Sequence, residues 1–167
     1  MSIKFSDLGI SSPLQKGLQD LEISEPTFIQ KKAIPVVLHQ KEDLVALAKT
    51  GTGKTAAFGL PLLDLIDIKK NHVQVVILAP TRELGQQIHT NLEGYAAHLS
   101  SVSIASLCGG IPIKPQIERL KLPTQIVVAT PGRLIDLIGR GAISLNKLSY
   151  LVLDEADEMV RNFEQDL

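Results

Sequence analysis

Short, almost wholly apolar segments alternate along the chain with longer segments that carry apolar residues at helical spacing. The short segments predict five strands, at 44–48, 73–79, 102–107, 125–129 and 150–153. Continuous apolar runs of this length are typical of strands buried on both faces of a parallel sheet. The third run alternates apolar residues with Ser or Ala, which favours a position nearer the edge of the sheet.

Apolar residues at helical spacing predict the elements between these strands. Within 5–21 a short amphipathic helix is expected after Pro13, with Leu14, Leu18 and Leu21 at helical spacing, and a second helix is expected to end near Leu38. Because strands and helices alternate, the sequence predicts an α/β fold, a parallel sheet with helices on both faces and its ligand site at the carboxyl ends of the strands. The remaining helices are expected over 56–68, from Thr81 onward, over 115–120 and over 130–139.

The stretch 48–55, Ala-Lys-Thr-Gly-Thr-Gly-Lys-Thr, stands between the first predicted strand and a helix. Glycines let backbone N–H groups turn inward, which makes an anion site at the positive end of a helix. This order predicts a phosphate-binding loop, in which Lys54 reaches the outer phosphates and the Thr55 hydroxyl binds Mg²⁺. The alternative is a chance Gly/Thr-rich turn. The expected nucleotide-binding residues are Thr50, Gly51, Thr52, Gly53, Lys54 and Thr55.

An acidic run, Asp154-Glu155-Ala156-Asp157, directly follows the last predicted strand. Asp154 is expected to hold Mg²⁺ opposite Thr55, in part through water. Glu155 adds a second carboxylate that can orient or deprotonate an attacking water, which favours hydrolysis of a nucleoside triphosphate. Lys54, Asp154 and Glu155 are therefore the candidate catalytic residues, and a solvated acidic turn is the alternative.

Composition limits the classes of protein that the chain can represent. A length of 167 residues predicts about one domain, and 44% hydrophobic with 21% charged residues argues against disorder. No apolar run approaches the roughly 18 residues of a membrane span. The single cysteine, Cys108, cannot form an internal disulfide, and the first residues lack a signal-peptide core, so the cytoplasm is expected.

The net charge of −1 does not by itself indicate nucleic-acid binding, but the charged residues are unevenly distributed along the chain. Residues 110–141 carry five cations against two anions, a balance of +3. Residues 154–167 carry six acids and one Arg, a balance of −5. One segment is therefore suited to phosphates, and the other to a metal ion.

Together these motifs resemble the DEAD-box RNA helicases, whose name is spelled by residues 154–157. The resemblance covers essentially the whole chain and implies a RecA-like lobe of a P-loop NTPase that uses ATP and Mg²⁺. It rests also on the phosphate loop, Pro80-Thr81-Arg82-Glu83-Leu84, Gly109-Gly110, Thr130-Pro131-Gly132-Arg133, and 26–30 with Phe5 upstream.

The resemblance also implies roles for individual residues. Gln30 would read the adenine edge within an adenine-recognition segment over 1–40, although Thr27 and Gln30 also fit a capping box. Asp157 would couple hydrolysis to strand separation. Capped helix N-termini and close-approach glycines suit a backbone contact without sequence readout, and the alternative is simple caps and a turn. The residues expected on an RNA backbone are Thr81, Arg82, Gly110, Thr130, Gly132 and Arg133.

Some features depart from the family pattern. Glu22 and Ile23 stand where the family usually has Gly and an aromatic that packs on adenine, so only modest adenine selectivity is expected. Ten residues follow Asp157, without a Ser-Ala-Thr segment or a second RecA-like lobe. We therefore expect a single, incomplete lobe that binds nucleotide without turnover, within a parent RNA-dependent ATPase. The rivals are a non-catalytic nucleotide- or RNA-binding module, a DNA helicase and a P-loop kinase.

Overall fold

A computed structural model describes residues 3–39 and 42–163 of the chain. The chain divides into two compact units, one formed by residues 1–66 and 91–100 and the other by residues 67–90 and 101–167. We call them the helical unit and the sheet unit. Within the described ranges, no helix has both the length and the apolar character that a membrane crossing requires.

The helical unit contains α1 (Ser12–Asp20), α2 (Phe28–His39) and α3 (Lys54–Leu65). The amphipathic helix predicted after Pro13 is confirmed as α1, and ahead of it a 3₁₀ helix over Ser6–Leu8 ends at Gly9, whose φ of 90° is left-handed. Such a φ suits glycine and stops a continuous helix. Leu14 and Leu18 are buried as predicted, whereas Leu21 is 44% exposed.

A close approach inside the helical unit requires glycine at position 17. A Cβ on Gly17 would collide with the carbonyl oxygen of Tyr95, at the end of the helix Arg82–Tyr95. The absence of a side chain lets α1 lie directly against this backbone. In the sequence, a close backbone approach of this kind is visible only as a glycine that interrupts a helical pattern.

The strand predicted at 44–48 does not form. Residues 43–49 have no regular secondary structure, and Val45 and Leu47 are 87% and 93% exposed. A strand is stabilised by pairing its backbone with a neighbour, and an apolar run does not specify that neighbour. The prediction of a strand buried on both faces is therefore wrong for this segment.

The sheet unit contains four parallel strands, β1 (Val75–Leu78), β2 (Ile104–Leu107), β3 (Ile126–Ala129) and β4 (Tyr150–Leu153). Their order is β2-β3-β1-β4, so the edge position predicted for β2 is confirmed. The parallel sheet predicted from the apolar runs is confirmed with one strand fewer. The helices are α4 (Arg82–Tyr95), which ends in the helical unit, α5 (Ile113–Leu120), α6 (Pro131–Gly139) and α7 (Ala156–Phe163).

One face of the sheet carries a hydrophobic core that is shared with the helices α6 and α7. Val76, Leu78, Leu107 and Val127 are buried there with side chains from α6 and α7. The cover does not extend to the edge strand β4. Its Leu151 and Leu153 pair in register with Val76 and Leu78 but are 56% and 47% exposed.

Two buried glutamines, which precede β1 and β3, form hydrogen bonds to backbone groups at the amino ends of the strands. Gln74 is 5% exposed and makes two hydrogen bonds with Asp67, accepting from its backbone N–H at 2.9 Å and donating to its carbonyl at 2.8 Å. Gln125 donates to the Lys70 carbonyl at 2.9 Å and accepts from the Ser103 N–H at 3.0 Å. These amides satisfy backbone groups that would otherwise be buried without partners.

Candidate functional site

The predicted phosphate loop is a turn at residues 50–53 that leads into α3. Gly51 and Gly53 have left-handed φ values of 77° and 90°. Gly53 occupies the N-cap position of α3, and no side chain caps the helix there. Lys54 and Thr55 are the first two residues of α3 and are half-buried. The first N–H groups of the helix therefore remain available to an anion, as a phosphate-binding loop requires.

Gln30 is 3% exposed and uses both ends of its side-chain amide. Its Oε1 accepts from the Thr27 N–H at 2.9 Å, which is the backbone bond of the predicted capping box. Its Nε2 donates to the Gly53 carbonyl at 3.1 Å. A Cβ at Gly53 would collide with that Nε2. Gln30 thus joins the start of α2 to the phosphate loop, a link that the sequence did not reveal.

We expect Gln30→Ala to lower the free energy of unfolding by about 1–2 kcal/mol, because it removes a cap and a bond to the loop. If Gln30 also reads adenine, the same change removes a modest preference for ATP over GTP. Urea unfolding and competition between the two nucleotides measure these effects. Gln15→Ala is the control, because Gln15 donates one bond to the Ile10 carbonyl, at 2.6 Å. Lower stability with an unchanged ATP/GTP ratio would restrict Gln30 to capping and loop support.

The remaining motifs lie at the carboxyl ends of the four parallel strands, as the fold class predicts. Thr81 follows β1, Gly109 and Gly110 follow β2, Thr130 follows β3, and Asp154 follows β4. All belong to the sheet unit. Thr55 belongs to the helical unit, and among the described residues no group of three or more metal-ligating side chains is found.

Asp154 is 8% exposed, and its Oδ1 accepts from the Glu155 N–H at 3.1 Å. Its own N–H donates to the Leu78 carbonyl at 3.0 Å, which extends the pairing of β4 with β1 by one residue. The carboxylate is therefore held in place at the end of the sheet. A fixed carboxylate oxygen suits a hard cation such as Mg²⁺.

Glu155 has a φ of 52°, in the left-handed region. A non-glycine residue costs roughly 1–2 kcal/mol in this conformation and persists only where the surroundings impose it. The residue with this strained backbone is the one whose side chain is predicted to position water. One turn on, the pKa of the Glu158 carboxyl is raised, because its protonated form donates a hydrogen bond to the Glu155 side chain. Asp157 is exposed in the first turn of α7.

Thr81 and Thr130 use their hydroxyl groups differently. Thr81 Oγ1 accepts from the Leu84 N–H at 3.2 Å, so Thr81 caps α4 as predicted. Thr130 occupies the N-cap position of α6, but its side chain makes no cap bond and instead accepts from the Gly109 N–H at 3.1 Å. The capping prediction for the Thr130 hydroxyl is therefore wrong. Gly132 is exposed at the α6 N-terminus, which is left open to an anion.

The loop after β2 is held by side chains on three helices. Arg82 Nη1 lies 3.4 Å from the Gly110 carbonyl, and Gly110 has a left-handed φ of 76°. Arg133 Nη2 donates to the Ile111 carbonyl at 2.9 Å, and Arg133 Nη1 donates to Gln116 Oε1 at 2.6 Å. Both arginines predicted to meet RNA thus also support the glycine loop.

Gln116 is the residue of this group that was missed from the sequence. A glutamine in a short basic helix is ordinarily read as a surface residue. The signal was its position, because 113, 116, 117 and 120 form one face of a helix and the other three members are Ile, Ile and Leu. A polar residue on an otherwise apolar face indicates a buried hydrogen-bonding role.

The chain is similar in sequence to a known protein family and to named proteins. The family model described as DEAD/DEAH box helicase matches residues 27–167. The chain is 45% identical over 157 residues to the ATP-dependent RNA helicase DeaD of Escherichia coli, covering 94% of the chain and 25% of that protein. It is 47% identical over 159 residues to the ATP-dependent RNA helicase CshA of Listeria monocytogenes, covering 94% and 30%. The chain thus spans between a quarter and a third of the length of these relatives.

Solved structures show the same architecture. A DEAD box protein from Methanococcus jannaschii superposes with a TM-score of 0.89 at 40% identity, over 95% of this chain and 43% of that one. The L327V variant of Saccharomyces cerevisiae Dbp5, solved with RNA and ADP BeF3, gives a TM-score of 0.86 at 31% identity, over 96% and 40%. The predicted fold class, a parallel sheet with helices, is therefore confirmed.

Proposed function

The chain belongs to the DEAD/DEAH box helicase family, and we propose that it is the first RecA-like lobe of an ATP-dependent RNA helicase. The observation that carries the proposal is the phosphate loop, in which left-handed Gly51 and Gly53 lead into a helix N-terminus that no side chain caps. The residues that would bind ATP are Gln30, Thr50, Gly51, Thr52, Gly53, Lys54 and Thr55.

Hydrolysis would depend on positioned charge, because phosphoryl transfer offers the protein little covalent chemistry. Lys54 would contact the outer phosphates from the first position of α3. The Thr55 hydroxyl and the fixed Asp154 carboxylate are hard oxygen donors that fit Mg²⁺, which when bound neutralises phosphate charge. Glu155 would orient the attacking water and accept its proton. Asp157 would link this site to the strand-separating movement.

RNA would be held by its backbone along the carboxyl ends of β1, β2 and β3. Two features support this. The N-terminus of α6 is open at Gly132, and Arg82 and Arg133 place two cations beside the glycine loop. Helix N-termini, glycines and arginines contact phosphates without reading bases. The proposed contacts are Thr81, Arg82, Gly110, Thr130, Gly132 and Arg133.

The relatives are three to four times as long as this chain, which supports a parent protein with a second lobe. We propose that turnover belongs to that two-lobe protein and that residues 1–167 alone bind nucleotide. The lone cysteine, which cannot form an internal disulfide, is consistent with a cytoplasmic protein.

Steady-state phosphate release by the two-lobe protein tests the proposal, with single-stranded RNA, single-stranded DNA of the same sequence, or neither present. We expect RNA to stimulate release of phosphate and DNA to stimulate it much less, because backbone readers distinguish the two through the 2′-OH. Equal stimulation by DNA would favour the DNA helicase. Nucleotide binding without release of phosphate under any condition would favour a non-catalytic module.

A further inference from the structure

The loop Cys108–Ile111 after β2 is fixed through its carbonyl groups. The Cys108 carbonyl accepts from Gln116 Nε2 at 3.0 Å, and the Ile111 carbonyl accepts from Arg133 Nη2 at 2.9 Å. The N–H of Gly109 is fixed as well, by Thr130 Oγ1 at 3.1 Å. The loop is therefore tied to α5, to α6 and to the residue that precedes α6.

The Gln116 side chain connects the loop to Arg133. It is 5% exposed, and its amide donates to the Cys108 carbonyl while accepting from Arg133 Nη1 at 2.6 Å. The bond from Arg133 is charge-assisted and short, which makes it one of the stronger kinds of hydrogen bond in a protein. One side chain thus fixes both the base of the glycine loop and the direction of the guanidinium.

We propose that Gln116 is a positioning residue for RNA binding, which holds the Gly109–Gly110 loop and Arg133 in one rigid arrangement. The inference rests on the proposed function, since the loop and Arg133 are the groups expected to meet the RNA backbone. Gln116 would not touch RNA itself, because it is buried. It acts by fixing in advance the spacing between the Gly109–Gly110 loop and the Arg133 guanidinium, which lowers the ordering cost of binding.

The chemistry of the position requires an amide. A carboxylate would accept from Arg133 but would face the Cys108 carbonyl without a proton to donate. An apolar side chain of the same length would leave both Arg133 Nη1 and a buried carbonyl without their partner. Of the two amide side chains, glutamine is the one that reaches both partners, since asparagine is one methylene shorter.

The test uses the two-lobe protein and a fluorescently labelled single-stranded RNA, with affinity measured by anisotropy. We expect Gln116→Met to weaken RNA binding about tenfold, as loss of a bond to a charged group implies. Gln116→Glu should fall between Gln116→Met and the unaltered protein. Affinity for an ATP analogue in the absence of RNA should not change, because neither Gln116 nor its partners Cys108 and Arg133 are among the residues proposed to bind ATP.

Gln74→Met is the matched control. Gln74 is also 5% exposed and also makes two hydrogen bonds, but at the amino ends of the strands, away from the loops. It should lower thermal stability by a similar amount and leave RNA affinity unchanged. Equal loss of RNA affinity in both variants would show a general effect of stability and would overturn the proposal.

A double-mutant cycle with Arg133→Ala separates positioning from packing. If Gln116 acts through Arg133, then Gln116→Met adds clearly less to the loss of RNA affinity once Arg133 has been removed. Fully additive losses of RNA affinity in the double mutant would contradict an action of Gln116 through Arg133. Failure of the unaltered protein to bind RNA would contradict the proposed function, whereas normal binding by Gln116→Met would contradict only the role of Gln116.

Discussion

Residues 1–167 alone are expected to hydrolyse ATP roughly 10³–10⁵-fold more slowly than the two-lobe protein, and RNA should not stimulate them. The reason is that an arginine supplied from outside the phosphate loop contributes a factor of about this size to phosphoryl transfer. A second lobe that supplies such an arginine would account for a difference of this size. Phosphate release with and without RNA, measured side by side on both proteins, gives the ratio.

Glu155→Gln in the two-lobe protein provides the internal control for this comparison. The amide keeps the shape of the side chain but cannot accept a proton, so turnover should be lost while nucleotide and RNA binding persist. Robust, RNA-stimulated turnover by residues 1–167 would contradict the two-lobe interpretation. The catalytic cations would then lie within this chain, and Arg82, Arg133 and Arg161 would be the first to replace.

Lys54→Ala should weaken ATP binding about tenfold to a hundredfold without unfolding the protein. A charge-assisted contact to phosphate is worth about 1.5–3 kcal/mol, and Lys54 lies half-buried at the first position of α3, directly after the loop. Titration with a fluorescent ATP analogue measures the affinity, and circular dichroism reports the fold.

Lys49→Ala is the matched control for that titration, because Lys49 is an exposed cation at the start of the same loop. Its carbonyl accepts from Thr52 Oγ1 at 2.7 Å, a bond that the substitution keeps. Only a small loss of affinity is expected from removing this charge. Unchanged affinity in Lys54→Ala with an intact spectrum, or equal losses in both variants, would contradict the role assigned to Lys54.

Sequence reasoning worked where local chemistry specifies the structure. The apolar runs at β1 and β3 were recognised because strands buried in a parallel sheet leave a continuous apolar signature. Thr81 as a cap and Gly51 and Gly53 as loop glycines were recognised because their backbone conformations favour those residue types. The backbone geometry of these local motifs was therefore predictable from the sequence, and the roles assigned to their side chains stay predictions.

The failures arose where the outcome depends on a partner distant in sequence. Residues 44–48 have the composition of a strand, but pairing is a property of two segments. The hydroxyl of Thr130 could cap its own helix or accept from another loop, and only the fold brings Gly109 close enough to decide. The amide of Gln116 was invisible for the same reason, since both of its partners come from elsewhere in the chain.

The left-handed backbone at Glu155 has a consequence for protein engineering. Glycine is the residue that adopts a φ of 52° at least cost, so a selection for thermal tolerance alone would favour glycine at this position. The selected variant would have a higher melting temperature and would have lost the carboxylate proposed to activate water. Stabilised versions of this lobe are therefore best sought with position 155 held fixed, since stability and chemistry compete there for a single residue.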